Sequence, residues 1–227
     1  MWWWISSALA GAMPVVAIGD GMVAEGSPAA APGGWVAVLQ DCLDERAPGR
    51  YSLVDRASGN AAFAAFKHPD SVRDLVPDSV IVAFGAKSLD GVTPAALEKD
   101  ITKLIRALRV GPMPPEIVLV GLVRPTAATP VEQAHMDEQV AAWNTVIMSA
   151  GGPETAGVRR VDLLGEWPTE PGARSALSAG PWALSDQGHA RVAAAVCDAV
   201  LADRTPVPVD PVPVPVAPVA APSRPKP

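Results

Sequence analysis

VVAIGDGMVAEG, residues 15–26, decides how the chain is read. An apolar run from Val15 to Ile18 ends in Gly19-Asp20-Gly21, and Gly26 follows five residues later. A short apolar run rich in β-branched residues and closed by glycine reads as a strand buried on both faces. A glycine-rich turn at its carboxyl end reads as a loop facing a ligand, because open α/β sheets place their ligand crevice there.

Working outward, the same strand signature returns at intervals. YSLVD (51–55), SVIVAFG (79–85), EIVLVGLV (116–123) and VRRVDLL (158–164) are short, apolar or β-branched, and separated by helical patterns. Trp35, Val36, Leu39 and Leu43 recur at helical spacing in the first interval. Leu97, Ile101, Leu104, Ile105 and Leu108 form one face of a helix that Thr93 caps and Pro94 opens. Met136, Val140, Trp143 and Ile147 make a third stripe, and residues 185–204 a closing helix. Alternation of this kind predicts a parallel sheet with helices on both faces.

The chain has 227 residues, of which 49% are hydrophobic and 19% charged, enough for one α/β domain with a substantial core. A net charge of −6, with no basic block, argues against nucleic acid as a partner. Residues 1–13 are an apolar extension carrying Trp2, Trp3 and Trp4, which suits either a membrane interface or packing on the domain. The extension is short for a signal peptide and has no basic residue ahead of its apolar stretch, so cytoplasm and cell envelope both stay open. From Thr205 the alternating proline of residues 205–227 forbids helix and ladder and reads as an extended, disordered tail. It serves as a spacer or as a docking segment for a proline-binding partner. The globular domain is therefore expected over residues 14–204. Cys42 and Cys197 lie in separate helical patterns with no metal-ligand spacing, and buried free thiols are expected there rather than a disulfide. No cofactor motif survives inspection.

The nearest such motif is Gly19-x-Gly21-x-x-Ala24, with Asp55 ending the second strand where a ribose-binding acid would stand. A dinucleotide fingerprint needs a helix opening directly on its glycines to hold the pyrophosphate. Pro28, Pro32, Gly33 and Gly34 postpone the helix to about Trp35. GAKS (85–88) lacks the glycine before the lysine that a phosphate loop requires.

Several blocks, in order, resemble the SGNH (GDSL-type) hydrolases. AIGDGMVAEG resembles the first block, usually Gly-Asp-Ser with a later glycine; Gly19, Asp20 and Gly26 match, but Gly21 stands at the nucleophile position. VDRASGNAA resembles the second, whose glycine donates a backbone N–H to the oxyanion, and Gly59 matches. VIVAFGAKSLDG resembles the third, Gly-x-Asn-Asp; Gly85 matches, while Lys87 and Ser88 replace the Asn and Asp. PWALSDQGHARVAAAV resembles the last block and final helix. The resemblance covers about residues 14–204. It implies a three-layer α/β/α domain with a five-stranded, flavodoxin-like parallel sheet in the order 2-1-3-4-5.

The last block has two registers. Read literally, Asp186-x-x-His189 supplies the acid and base. In the other register, Leu184 to His189 is the stretch that follows the catalytic histidine, which places Gly180 and Ala183 at the acid and base positions. The second register is preferred, with His189 as a residue of the helix.

Ester hydrolysis of this type needs an activated hydroxyl, a base beside it and donors aimed at the oxyanion. Gly21 cannot attack and Ala183 cannot move a proton. The expectation is a pseudoenzyme that binds rather than cleaves. Gly21 and Gly59 would retain backbone N–H groups and Lys87 would add charge for a small anionic ligand. The alternative is an active acyl-ester hydrolase using residues the motifs do not identify, with Ser27, Ser58 and Ser88 as the hydroxyls near the expected crevice.

Overall fold

The structure is a computed structural model that describes residues 11–19, 34–56, 68–85, 89, 91–151 and 157–202. Five strands, β1 (Met13–Gly19), β2 (Tyr51–Asp55), β3 (Ser79–Ala83), β4 (Glu116–Val120) and β5 (Val158–Val161), form one sheet in the order β2-β1-β3-β4-β5. Every neighbouring pair is parallel. The expected order and direction are therefore those observed.

Around the sheet lie α1 (Gly34–Arg46), α2 (Pro69–Arg73), α3 (Pro94–Leu108), α4 (Pro130–Ser149), α5 (Leu163–Glu166), α6 (Pro171–Ala176) and α7 (Asp186–Leu201). The two main layers follow from the pleat. Val15, Ala17, Ile81, Ala83, Val118 and Val120 face one side and pack under α1 and α7. Val16, Ile18, Val80, Val82, Ile117 and Leu119 face the other and pack under α3 and α4. Because each of these strands carries apolar residues at both parities, both faces are buried.

The helix boundaries have local causes. Thr93 Oγ1 accepts from the Ala96 N–H at the start of α3, ahead of Pro94. Thr129 and Glu132 form a reciprocal capping box at α4. Ser185 Oγ accepts from the Gly188 N–H and fixes the first turn of α7. All four stripe residues expected in the first helix are buried, as are all five in α3. Among the described residues no helix is long and apolar enough to cross a membrane.

One expectation is overturned. Cys42 on α1 and Cys197 on α7 form a disulfide, with Cα atoms 6.4 Å apart, rather than two free thiols. The reason is topological. Strand β2 lies on the opposite side of β1 from β3, β4 and β5, so right-handed connections put α1 and the final helix on the same face. Arg46 reinforces the contact through an ion pair with Asp198.

The structure adds a small antiparallel hairpin, β6 (Ser178–Gly180) with β7 (Ala183–Leu184), just before α7. It also adds the short helices α2, α5 and α6. Too short to show a period in the sequence, they begin with proline or a capping aspartate.

Candidate functional site

The carboxyl ends of β1, β3 and β4 point to one edge of the domain, the edge at which an open α/β sheet places its ligand crevice. Gly19 ends β1, Gly85 follows β3 as a buried residue, and residues 121–129 leave β4. Gly21, Gly59 and Lys87 lie outside the described residues, as do Asp20, Ala24, Gly26, Ser27, Ser58 and Ser88. The sequence-based anion donors and alternative hydroxyls therefore have no geometry to report. Gly180, Ala183, Asp186 and His189 do.

Gly180 and Ala183 pair across the hairpin formed by β6 and β7. A Cβ built on Gly180 would meet only the Ala183 Cβ, at 4.0 Å. The two positions assigned to acid and base are thus adjacent and offer neither a proton nor a charge.

The hairpin is stitched to the segment after β4. Thr126 Oγ1 donates to the Gly180 carbonyl at 3.1 Å, and the Thr126 N–H donates to the Pro181 carbonyl at 3.3 Å. Between them lies a small cleft lined by Arg124, Pro125, Ser178, Trp182 and Ala183.

Asp186 and His189 are differently placed. Asp186 is exposed at the first position of α7, and His189 is one turn further on, only 1% exposed. Both His189 ring nitrogens are buried without a hydrogen-bond partner. Burial holds the imidazole pKa below its ordinary value, against a weaker opposite pull from the nearby Asp186 carboxylate. A neutral imidazole bonded to neither an acid nor a hydroxyl is not arranged as a general base. The preceding Gly188 explains its depth: a Cβ there would come within 2.2 Å of the Leu177 carbonyl oxygen, so α7 lies hard against the turn that follows α6.

Two buried polar groups that no sequence motif marks hold the crevice in shape. Asn144 lies on the buried face of α4 beside Trp143 and Ile147. Its Oδ1 accepts from the Leu122 N–H at 2.9 Å, and its Nδ2 donates to Asp162 Oδ1 at 3.0 Å. Gly121 must be a glycine for this contact, since a Cβ would stand 2.6 Å from Asn144 Oδ1. Arg174 of α6 is 5% exposed and donates to the Thr169 carbonyl and both Asp137 carboxylate oxygens, and more weakly to the Pro125 carbonyl. A polar residue on an otherwise apolar helical stripe is the available signal for Asn144. Arg174 has no periodic context that would mark it.

For the dinucleotide alternative, Asp55 does end β2, but the first helix among the described residues begins only at Gly34. Among the described residues no group of three His, Cys, Asp or Glu side chains could hold a metal ion.

A parallel sheet in this order, covered by helices on both faces, is a three-layer α/β/α scaffold of the flavodoxin-like class. The chain belongs to the GDSL-like lipase/acylhydrolase family, whose profile matches residues 17–191. LAE5, an alpha/beta hydrolase enzyme from the metagenome of Lake Arreo, Spain, superposes with a TM-score of 0.61 at 22% identity, covering 82% of this chain and 94% of its own. The lipase/acylhydrolase from Enterococcus faecalis gives 0.61 at 20% identity over 83% and 95%. Axe2, an acetylxylan esterase from Geobacillus stearothermophilus, gives 0.59 at 17% over 82% and 93%. At these identities the likeness is one of fold. No curated protein sequence matches the chain.

Proposed function

We propose that this family member has lost ester hydrolysis and uses its crevice to bind a small anion. The observation that carries the reading is the pair Gly180 and Ala183. They stand together on the hairpin, Ala183 lining the cleft, where the preferred register puts the acid and base. With Gly21 at the nucleophile position, all three members of the catalytic set lack a reactive side chain. Such groups act as a unit, and a site without them keeps only what binding and oxyanion donors provide. His189, enclosed in α7 with unpaired nitrogens, does not replace them. The retained backbone donors at Gly21 and Gly59, with Lys87 in place of a neutral amide, suit a carboxylate or phosphate group.

The test is p-nitrophenyl acetate hydrolysis by the purified full chain. Turnover at the buffer rate is expected, and Gly21→Ser alone should remain at that rate. The triple variant Gly21→Ser, Gly180→Asp, Ala183→His should gain measurable turnover, because Gly180 has open space around its missing Cβ. Wild-type turnover that survives purification and disappears on substituting Ser27, Ser58 or Ser88 would overturn the reading in favour of an active acyl-ester hydrolase.

A further inference from the structure

Among the described residues four large hydrophobic side chains are exposed: Val76, Val110, Met113 and Val131. Val131 opens α4, and the other three gather at the amino edge of the sheet, opposite the candidate site. The Asp78 N–H donates to the Pro14 carbonyl and the Glu116 N–H to the Asp78 carbonyl, so the chains entering β1, β3 and β4 lie side by side. Val76 stands just ahead of Asp78, and Met113 just ahead of Glu116. Val72 and Leu75 pack in the same core layer as Leu104 and Leu108, which puts Val76 at the α3 corner of that edge.

Neither backbone nor burial accounts for these side chains. Val76 is 68% exposed at a φ of 48°, in the left-handed region that a β-branched residue rarely adopts. Met113 is 80% and Val110 64% exposed, both within the uncharged segment VGPMPP (110–115) that joins α3 to β4.

The charge at this corner runs against that of the whole chain, which is −6. The end of α3 presents Lys103 and Arg106 to solvent, and Arg109 follows. Arg109 extends toward the start of β5, where a Gly157 Cβ would stand 3.9 Å from its Nη2. A cleft of about 320 Å³ beside the loop is lined by Thr102, Ile105, Arg106, Arg109, Pro114 and Gly151. Asp74, at the end of α2, is the exposed acid next to Val76. Glu116 is held by Arg159, and Asp44 and Glu45 lie at the end of α1, on the other face of the sheet.

The structure assigns the α3 corner of the amino edge as a docking surface for an anionic phospholipid bilayer. Val76, Val110 and Met113 enter the interfacial region, and Lys103, Arg106 and Arg109 meet the headgroups. Three apolar side chains are few for a protein interface, which buries about 800 Å² per partner. They match a peripheral contact, in which a small apolar insertion and nearby cations act together. The chain ahead of Gly11, with Trp2, Trp3 and Trp4, joins β1 at this same edge, and tryptophan suits the headgroup level. The seven residues of β1 separate the two edges by roughly 23 Å, so a domain docked in this way turns its carboxyl edge to water.

The experiment is co-sedimentation of the full chain with vesicles of phosphatidylcholine and phosphatidylglycerol in equal parts, against phosphatidylcholine alone. The parent should bind the anionic vesicles, bind the neutral ones far less, and lose affinity on adding salt. Met113→Asp should lower the partition coefficient about tenfold or more, because an inserted side chain becomes a charge. Lys103→Gln and Arg106→Gln should each lower it about fivefold. Val131→Asp, at the other edge, should leave binding unchanged. Val110→Asp reads the same surface if Met113→Asp fails to fold. No binding by the parent, or equal binding by the parent, Met113→Asp and Lys103→Gln, overturns the proposal. Binding lost on replacing Trp2, Trp3 and Trp4 by alanine but untouched by Met113→Asp also overturns it and assigns the contact to the extension alone. Dimerisation that Met113→Asp abolishes, without vesicle binding, overturns it in favour of a second copy of the chain. These readouts do not depend on ester turnover or on anion binding at the carboxyl edge, so they stand or fall apart from the lost-activity reading.

Discussion

Breaking the bridge between Cys42 and Cys197 should cost this domain a large share of its thermal stability. The two residues are 155 positions apart, so the bond closes most of the domain into one loop. The chain-entropy relation for a loop of that length gives about 5 kcal/mol, and native disulfides typically deliver about 2–4 kcal/mol. A domain of this size loses roughly 2–4 °C in Tm per kcal/mol, so reduction should lower Tm by roughly 4–16 °C. Little of this is offset by native contacts. Cys197 is fully buried between α1 and α7, and the thiols would occupy nearly the same volume. The assay is calorimetry of the oxidised protein, of the same protein in dithiothreitol, and of the Cys42→Ala, Cys197→Ala double variant. Thiol titration in denaturant should find no free thiol in the oxidised form. A reduced protein melting within about 1 °C of the oxidised one would refute the loop-entropy argument, and two titratable thiols per untreated chain would refute the bond itself.

Three further outcomes follow from the buried contacts. His189 has a folded pKa below its unfolded value, so its contribution to stability is full above about pH 6.5 and is lost as pH falls from there toward the folded pKa. Tm should drop across that range, and His189→Phe, which leaves no ring nitrogen unpaired, should flatten the profile. Asn144→Ala should cost about 1–3 kcal/mol by leaving the buried Leu122 N–H without a partner, visible as a lower urea midpoint with an unchanged slope. Gly188→Ala should destabilise by more than about 2 kcal/mol, because its Cβ would meet backbone at 2.2 Å; wild-type urea stability in that variant would show that α7 can shift.

The strands are legible because their burial on both faces makes them continuous apolar runs, and the long helices because one face of each is packed. Thus Val80 to Val82 and Leu97 to Leu108 read correctly from period alone. The disulfide escapes such a reading although its partners' shared face follows from the sheet order. Helical spacing tells which side of a helix faces inward, and only the crossover rule tells which two helices meet. The proposed site is legible only through the family resemblance, which implies replacements at Gly21, Gly180 and Ala183. Arg174 lies in a short turn of helix where no period marks it, and its place comes from its bonds to Asp137 and the Thr169 carbonyl. His189 belongs to a helix whose cap, Ser185, is on view in the sequence, which is why its placement in the first turns of that helix is accessible.

The stitching around the crevice has an evolutionary consequence. Asn144, Thr126, Gln133, Asp137 and Arg174 keep the segment after β4 and the β6–β7 hairpin in register. None of them is at the acid, base or nucleophile position. Substituting a reactive side chain at Gly180 or Ala183 by a small one therefore breaks no bond in this lattice. On the proposed reading, descent from an active family member passes through intermediates that keep these bonds and hence the fold. The scaffold, on that reading, tolerates loss of the reaction because the residues that hold the segment and the hairpin in place are not those at the acid, base and nucleophile positions.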